Sequence, residues 1–261
     1  MTQGESSYPA YPPGLWRRIV LQPGPGWIGG ALEDDMHSFR IRLDQEGGRI
    51  TSVHATPVRT PWSMCPGAAT HIEKELTGEL LSEVAARDPS QQCTHLFDLA
   101  ILCAAHAGDS DPTTFDMQVA DRVGATDLGG GLTSGTLSVN GVEKMHWQLD
   151  GTMIEAPERF AGRDMKRVSR WKHEFPPEEA EWATLLRRAI FIAPARVYDP
   201  PFGKKAGEMG EFRMGVCYNY QEPQIHDSEP LFDKRDFSMS GKEPLEAIDH
   251  EKEFSAMGEA A

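Results

Sequence analysis

Cysteines and long apolar stretches are scarce in this sequence of 261 residues. Its four cysteines are Cys65, Cys93, Cys103 and Cys217, and no two of them have the C-x-x-C spacing of zinc ribbons or thioredoxins. A chain of this size with so few cysteines needs no disulfide framework, so we expect reduced thiols. No stretch approaches the ~20 consecutive apolar residues of a membrane span, and residues 1–11 lack the basic start and apolar run of a secretory signal. We therefore expect a cytoplasmic protein.

Basic residues are also few, and the formal net charge is −14. Nucleic acids and anionic membranes attract basic surfaces, so neither is an expected partner. Residues 221–261 carry 11 acidic and four basic side chains, which is half of the net charge. Because this segment is also poor in aliphatic residues, we predict an acidic C-terminal tail, mobile or wrapped around the periphery. Residues 1–14 are predicted as an irregular arm and residues 15–220 as a single domain.

The motifs of several common sites are missing from the sequence. It contains no P-loop, no G-x-S-x-G and no H-E-x-x-H. Gly129-Gly130-Gly131 lacks the strand and helix that flank a nucleotide-binding loop. We therefore predict no cofactor.

The hydrophobic pattern predicts an α+β fold. Period-2 alternation predicts an antiparallel meander first, with a hairpin turn at Gln45 to Gly48. Helices follow, of which the one from His95 to about Ala107 is apolar nearly all round and is therefore expected to be buried, with Thr94 as its cap. We predict one or two antiparallel sheets packed against this buried central helix and flanking helices. The strands are predicted at residues 15–21, 27–32, 36–43, 49–58, 113–123, 133–139 and 144–149, and the other helices at 66–76 and 178–193.

Three short patches carry residues capable of chemistry. The first is Asp34, Asp35 and His37, at the entry to the third predicted strand. Acids beside a histidine can hold it in one tautomer as a general base, or can ligate a metal with it. A polar turn with a surface histidine would have the same composition.

The second patch combines Arg59 and Trp62 with Cys65, Pro66 and Gly67 before a predicted helix. A helix N-terminus presents unpaired N–H groups and partial positive charge, which suits an anion and lowers the pKa of a thiol. We therefore expect an anion or oxyanion site with Arg59 as a nearby cation. The alternative is a turn with a buried, packed thiol.

The third patch lies on the buried helix. His95 and Asp98 are three residues apart and therefore share one face, to which His106 returns three turns later. Polar groups on a buried helix need partners, so this face is either a site or a core histidine beside a capping acid.

Taken together, these patches resemble the bacterial family catalogued as domain of unknown function 2889. The resemblance is best over residues 15–110 and rests on Asp34, His37, Arg59-Thr60-Pro61-Trp62, Cys65-Pro66-Gly67-Ala68, Leu76-Thr77-Gly78 and Cys93-Thr94-His95-Leu96-Phe97-Asp98-Leu99. It implies a role in the breakdown of aromatic compounds, including cofactor-independent release of formaldehyde from lignin-derived dimers.

Our leading hypothesis is a cofactor-independent lyase for a small phenolic or lignin-derived aromatic compound. His95, oriented by Asp98, is the first candidate for the base and His37 the second. Arg59 and helix N–H groups, together with Cys65, would stabilise anionic charge.

Asp34, Trp62 and Tyr218 would bind the substrate. The expected partner is the small aromatic substrate, and a homo-oligomer is allowed. Two alternatives stay open: a metal-dependent hydrolase or lyase using Asp35, His37 and His95, and a non-catalytic protein that binds an aromatic ligand.

Overall fold

The computed structural model describes residues 7–124, 129–199, 203–210, 215–231 and 233–259. Residues 1–6 of the predicted N-terminal arm and residues 232, 260 and 261 of the predicted tail lie outside this description. Every residue of the three candidate patches lies within it.

The strands form an antiparallel sheet in the hydrogen-bonded order β4-β3-β2-β1-β5-β6-β7-β8, which confirms the predicted α+β class. All but the short last strand overlap a stretch predicted as a strand. The strands are β1 (Gly14–Gly24), β2 (Trp27–Glu33), β3 (Ser38–Glu46), β4 (Arg49–Arg59), β5 (Thr113–Ala120), β6 (Leu132–Val139), β7 (Val142–Asp150) and β8 (Met153–Ala156).

Three helices of nine residues or more lie between the strands or follow them, and a fourth ends the described chain. They are α1 (Ala68–Leu76), α2 (Thr94–Ala105), α4 (Pro177–Ile192) and α7 (His250–Glu259). The single-turn helices are α3 (Val168–Trp171), α5 (Gln224–Asp227) and α6 (Phe237–Ser240). The prediction that Thr94 caps α2 is wrong by one position, because Cys93 holds the N-cap and makes no side-chain capping bond.

The chain divides into two compact units. The first unit comprises Met1–Arg18, Thr114–Asp199 and Asp236–Pro244, and the second comprises Ile19–Thr113, Pro200–Arg235 and Leu245–Ala261. Segments after residue 199 therefore contribute to both units. The division of the chain at residues 15 and 220 stays a prediction.

Two hairpins turn at pairs of residues with positive φ. Gly47 and Gly48 link β3 to β4 with φ of 58° and 78°, and Asn140 and Gly141 link β6 to β7 with φ of 49° and 76°. Such pairs are typical of the type I′ turn, whose twist matches that of the flanking strands. The turn at Gly47 and Gly48 lies where the sequence predicted a hairpin.

In the second unit, α2 packs against one face of β2 and β3. A Cβ on Gly30 would lie 2.8 Å from the sulfur of Cys103 in α2, so the absence of a side chain lets the helix approach closely. Phe39, Ile41 and Leu43 lie on the same face of β3 and are buried. The prediction of a buried helix is confirmed, since Leu96, Phe97, Leu99, Ala100, Leu102 and Cys103 are all buried.

The opposite face of β3 carries arginines, and α7 packs on that side. The side chain of Phe254 is fully buried and fills the space above Gly29, where a Cβ would overlap its ring. Arg40 Nε donates to Glu253 at 3.0 Å, and Arg42 Nη1 donates to the carbonyl oxygen of Phe254 at 2.6 Å. Part of the acidic C-terminal segment thus supplies acceptors to the arginines of β3.

The first unit contains its own core. In α4, Ile190 lies close to β6, since a Cβ on Gly135 would be 3.1 Å from it. Trp147 of β7 is fully buried, and its ring lies 5.6 Å from Phe160 and 6.0 Å from Trp171. Among the helices of the described ranges, none is both long and apolar enough to cross a membrane.

Replacing Phe254 by alanine tests the packing of α7. We expect Phe254→Ala to lower the free energy of unfolding by about 3–5 kcal/mol, because it leaves a cavity over Gly29. Urea unfolding followed by circular dichroism measures the loss. The control is Val58→Ala at an exposed position of β4, which should change stability by about 0.5 kcal/mol or less. Equal effects of both substitutions would contradict this packing.

Candidate functional site

The first candidate patch forms the four-residue turn between β2 and β3. Glu33 pairs with Ser38 across the hairpin, and the Asp34 backbone N–H donates to the carbonyl oxygen of His37 at 2.9 Å. The strand predicted from Met36 therefore begins at Ser38. Asp34 is fully buried and His37 is 7% exposed, so this is not the solvent-exposed polar turn that its composition also allowed.

Asp34 and His37 form a hydrogen-bonded pair inside this turn. Asp34 Oδ1 lies 2.9 Å from His37 Nδ1 and also accepts the backbone N–H groups of Met36 at 2.9 Å and His37 at 2.8 Å. Two backbone N–H donors on one oxygen fix the carboxylate, and its contact with Nδ1 orients the imidazole. This is the arrangement of a histidine base held by an acid.

His95, in the first turn of α2, brings a second imidazole to the same place. Its ring stacks on that of His37 with centroids 3.8 Å apart and planes 26° apart. The ring of Phe39 lies 5.6 Å from His95 and 6.2 Å from His37. The first and third patches of the sequence therefore converge on one another.

Asp34, His37 and His95 also satisfy the basic requirement of a metal site. Each offers one ligand atom, and these atoms all lie within 4.8 Å of one another. The carboxylate of this group is Asp34, whereas the metal-dependent alternative expected from the sequence used Asp35. In the turn, it is Asp34 whose side chain faces His37.

Arg59, the last residue of β4, is buried and fixes the turn through hydrogen bonds. Its Nη1 donates to the carbonyl oxygen of Asp35 at 2.7 Å, and its Nη2 donates to that of Asp34 at 2.6 Å and to Glu33 Oε1 at 3.1 Å. The Arg59 guanidinium is thus engaged by two backbone carbonyl oxygens and one carboxylate of the protein itself. The arrangement supports a positioning role for Arg59 more than the anion-binding role expected from its sequence position.

The C-terminal segment contributes to the same network through residues that the sequence analysis missed. Glu33 accepts Arg235 Nη1 at 3.1 Å and the backbone N–H of Leu245 at 2.9 Å, and Arg235 N–H donates to the carbonyl oxygen of Asp35 at 2.8 Å. Glu33 could have been suspected, since it begins the acidic run with Asp34. No local signal pointed to Arg235, which is 202 residues away from Glu33.

Trp62 and Cys65 belong to a second group of buried residues. They form a cluster with Ala206 and Ile225, against which Met209 and Tyr220 pack. The ring of Tyr220 meets that of Trp62 edge-on at 6.0 Å.

Tyr218 lies at the start of α1 and is linked to the segment before α2. A Cβ on Gly67 would be 2.6 Å from the Tyr218 hydroxyl, so the absence of a side chain at Gly67 lets the tyrosine approach closely. The Tyr218 backbone N–H donates to the carbonyl oxygen of Gln92 at 3.0 Å. Tyr218 therefore adjoins the segment that leads into His95.

The expectation of an acidic thiol at Cys65 is wrong. Cys65 lies in a 3-10 turn, Cys65–Gly67, and burial raises the pKa of its thiol well above the ordinary value. Burial also raises the pKa of Cys93 to about 12. Loss of hydration disfavours the thiolate more than the neighbouring helix dipole favours it, so the alternative of a packed thiol fits the structure.

The remaining candidates lie further along α2. Asp98 is half-buried one turn after His95. His106 caps the end of the helix, where its Nδ1 lies 2.7 Å from Asp109 Oδ2. His106 thus has a local acid of its own at the opposite end of the helix from His95.

Comparison with models of known protein families and with curated proteins gives no match to this chain. The resemblance to the family of domain of unknown function 2889 therefore stays a prediction.

Replacing Arg59 tests the support of the turn. Arg59→Met removes the buried cation and leaves backbone carbonyls and Glu33 short of donors, so we expect a loss of about 3–5 kcal/mol in the free energy of unfolding. Urea unfolding measures it, with Lys74→Met at an exposed position of α1 as the control. A cost below about 1 kcal/mol, the range of an exposed ion pair, would contradict the assigned role.

Thiol labelling tests the burial of the cysteines. At pH 8 a pKa raised to about 12 leaves Cys93 protonated, and the same direction holds for Cys65 and Cys103. We expect Ellman's reagent to react quickly with the half-exposed Cys217 and slowly with the three others. Cys217→Ser should abolish the fast phase, and denaturant should release the rest. A fast phase that survives in Cys217→Ser and maps to Cys65 would contradict this result.

Proposed function

We propose that this protein is a carbon–carbon lyase acting on a small phenolic or lignin-derived aromatic compound without an organic cofactor. Its general base is His37, oriented by Asp34. The observation that carries the proposal is the 2.9 Å contact between His37 Nδ1 and a carboxylate oxygen that two backbone N–H groups already hold.

The contact favours one tautomer of the proposed base. Asp34 Oδ1 accepts two backbone N–H groups and is therefore an acceptor towards the imidazole as well. With Nδ1 as the donor to Asp34, Nε2 of the imidazole is the nitrogen left to accept a proton. A base of this kind contributes a factor of about 10²–10⁴ to a reaction that begins with proton removal.

The reaction that fits such a base is the release of formaldehyde from a hydroxymethyl group. Ionisation of the phenol, with loss of a benzylic leaving group, gives a quinone methide. His37 Nε2 takes the hydroxyl proton, the oxygen electrons form the carbonyl of formaldehyde, and the carbon–carbon bond breaks. Its electron pair passes into the quinone methide and restores a phenolate, so that the substrate supplies its own electron sink.

His95 takes a different place from the one that the sequence suggested. As the stacked neighbour of His37 at 3.8 Å, it restricts rotation of the basic ring and offers a second nitrogen for returning the proton. The Phe39 ring lies beside both imidazoles, 5.6 Å from His95 and 6.2 Å from His37. The substrate class rests on the family resemblance, and Trp62 and Tyr218 stay candidates for contact with its aromatic ring.

The test is formaldehyde release from a panel of lignin-derived phenolic dimers. We expect His37→Gln to lower kcat by about 10²-fold or more, because glutamine keeps hydrogen-bonding capacity but accepts no proton. Substrate affinity, measured separately by calorimetry, should fall much less. His106→Gln, on the same helix as His95 but hydrogen-bonded to Asp109, is the matched control and should retain activity.

Two results would count against the proposal. Turnover that persists in His37→Gln would remove the general base. Binding of the dimers without any formaldehyde release by the wild type would favour a non-catalytic protein that holds an aromatic ligand.

A further inference from the structure

The side chains of Asp34, His37 and His95 have the composition and spacing of a metal site. We propose that Asp34, His37 and His95 bind one divalent transition-metal ion of the Zn²⁺ type, and that the bound ion blocks the base and inhibits turnover. Inhibition rests on the proposed function, whereas metal binding does not.

The separations of the ligand atoms are close to those that a metal needs. Ligands at 2.0–2.1 Å from a tetrahedral ion lie about 3.3 Å from one another. His37 Nδ1 and Asp34 Oδ1 are 2.9 Å apart, so they would move apart by only a few tenths of an ångström. The whole set lies within 4.8 Å, and a rotation of one stacked imidazole about its Cβ–Cγ bond would bring the third atom in.

The ligands are held in place before any ion binds. Asp34 and His37 share a turn whose carbonyl oxygens accept the Arg59 guanidinium, and His95 lies on a helix packed against the same hairpin. Burial of Asp34 and His37 removes competing water. Because little conformational entropy is lost on binding, such a set favours affinity.

The donor atoms select the class of ion. Two imidazole nitrogens and one carboxylate oxygen suit Zn²⁺, Fe²⁺ or Co²⁺, whereas Mg²⁺ and Ca²⁺ prefer oxygen ligands alone. The group contains no thiolate, so the softer Cu⁺ is disfavoured.

The consequence for the base is direct competition. An ion bound between Asp34 and His37 separates the carboxylate from the imidazole that it orients. When Nδ1 of His37 binds the ion, the proton of the neutral ring lies on Nε2, which can then no longer accept the proton of the substrate. The substrate hydroxyl then has no free base to accept its proton.

The experiment uses the full chain, stripped with chelator and dialysed. Zn²⁺ and Co²⁺ are titrated by calorimetry and, for Co²⁺, by its visible absorption. We expect one ion per chain, with affinity reduced at least about 100-fold in Asp34→Asn, His37→Gln and His95→Gln, since even changes outside the ligand shell cost 10–100-fold. His106→Gln should bind like the wild type. Circular dichroism of each variant shows whether it is folded.

Formaldehyde release is then measured with and without stoichiometric Zn²⁺. Inhibition that chelator reverses supports the proposal. No binding at millimolar Zn²⁺, or unchanged affinity in all three folded variants, would overturn it. Binding with the expected stoichiometry together with activity that requires the ion would leave the metal site standing. It would overturn both the inhibition and the free-base role of His37.

Discussion

The buried guanidinium of Arg59 is the group on which the candidate site depends. It lies at the end of β4 and donates to the carbonyl oxygens of Asp34 and Asp35 and to the Glu33 carboxylate. A turn with three consecutive acids would otherwise place like charges together in a poorly solvated position, which is costly. These bonds fix the turn with the Asp34 side chain directed to His37. Asp34 in turn orients the imidazole of His37.

The two faces of the β2–β3 hairpin carry different kinds of interaction. On one face, α2 brings His95 over His37 and Phe39, so that the site lies between a helix and a strand. On the other, α7 supplies Glu253 and a main-chain carbonyl to the arginines of β3. The period of two along a strand separates these interactions, because neighbouring residues point to opposite faces. One hairpin can therefore carry the candidate site on one face and an ionic layer on the other.

Charge is distributed along the chain in a way that serves these contacts. The acidic C-terminal segment accounts for half of the net negative charge, and Glu253 within it pairs with Arg40. The same segment also supplies Arg235, which meets Glu33 beside the turn. The composition of residues 221–261 is therefore compatible with packing, since ionic partners for its charged side chains lie on the sheet.

The sequence by itself determined the α+β class, the meander, the buried α2 and the residues worth testing. Those features follow from local periodicity, from turn residues such as Gly47 and Gly48, and from side-chain chemistry. It ranked His95 above His37 because spacing on one helix is visible, whereas a turn closed by Asp34 onto its own backbone is not. It assigned Cys65 a lowered pKa because the position beside a helix start is visible, and burial is not.

Only the tertiary structure decided which patches meet. His37 and His95 are far apart in the chain, and Glu33 and Arg235 are 202 residues apart. Such contacts depend on the packing of a helix and a C-terminal segment against the sheet. No local pattern encodes that packing, because many partners satisfy the same apolar face or buried charge, and the shape of the whole core selects among them.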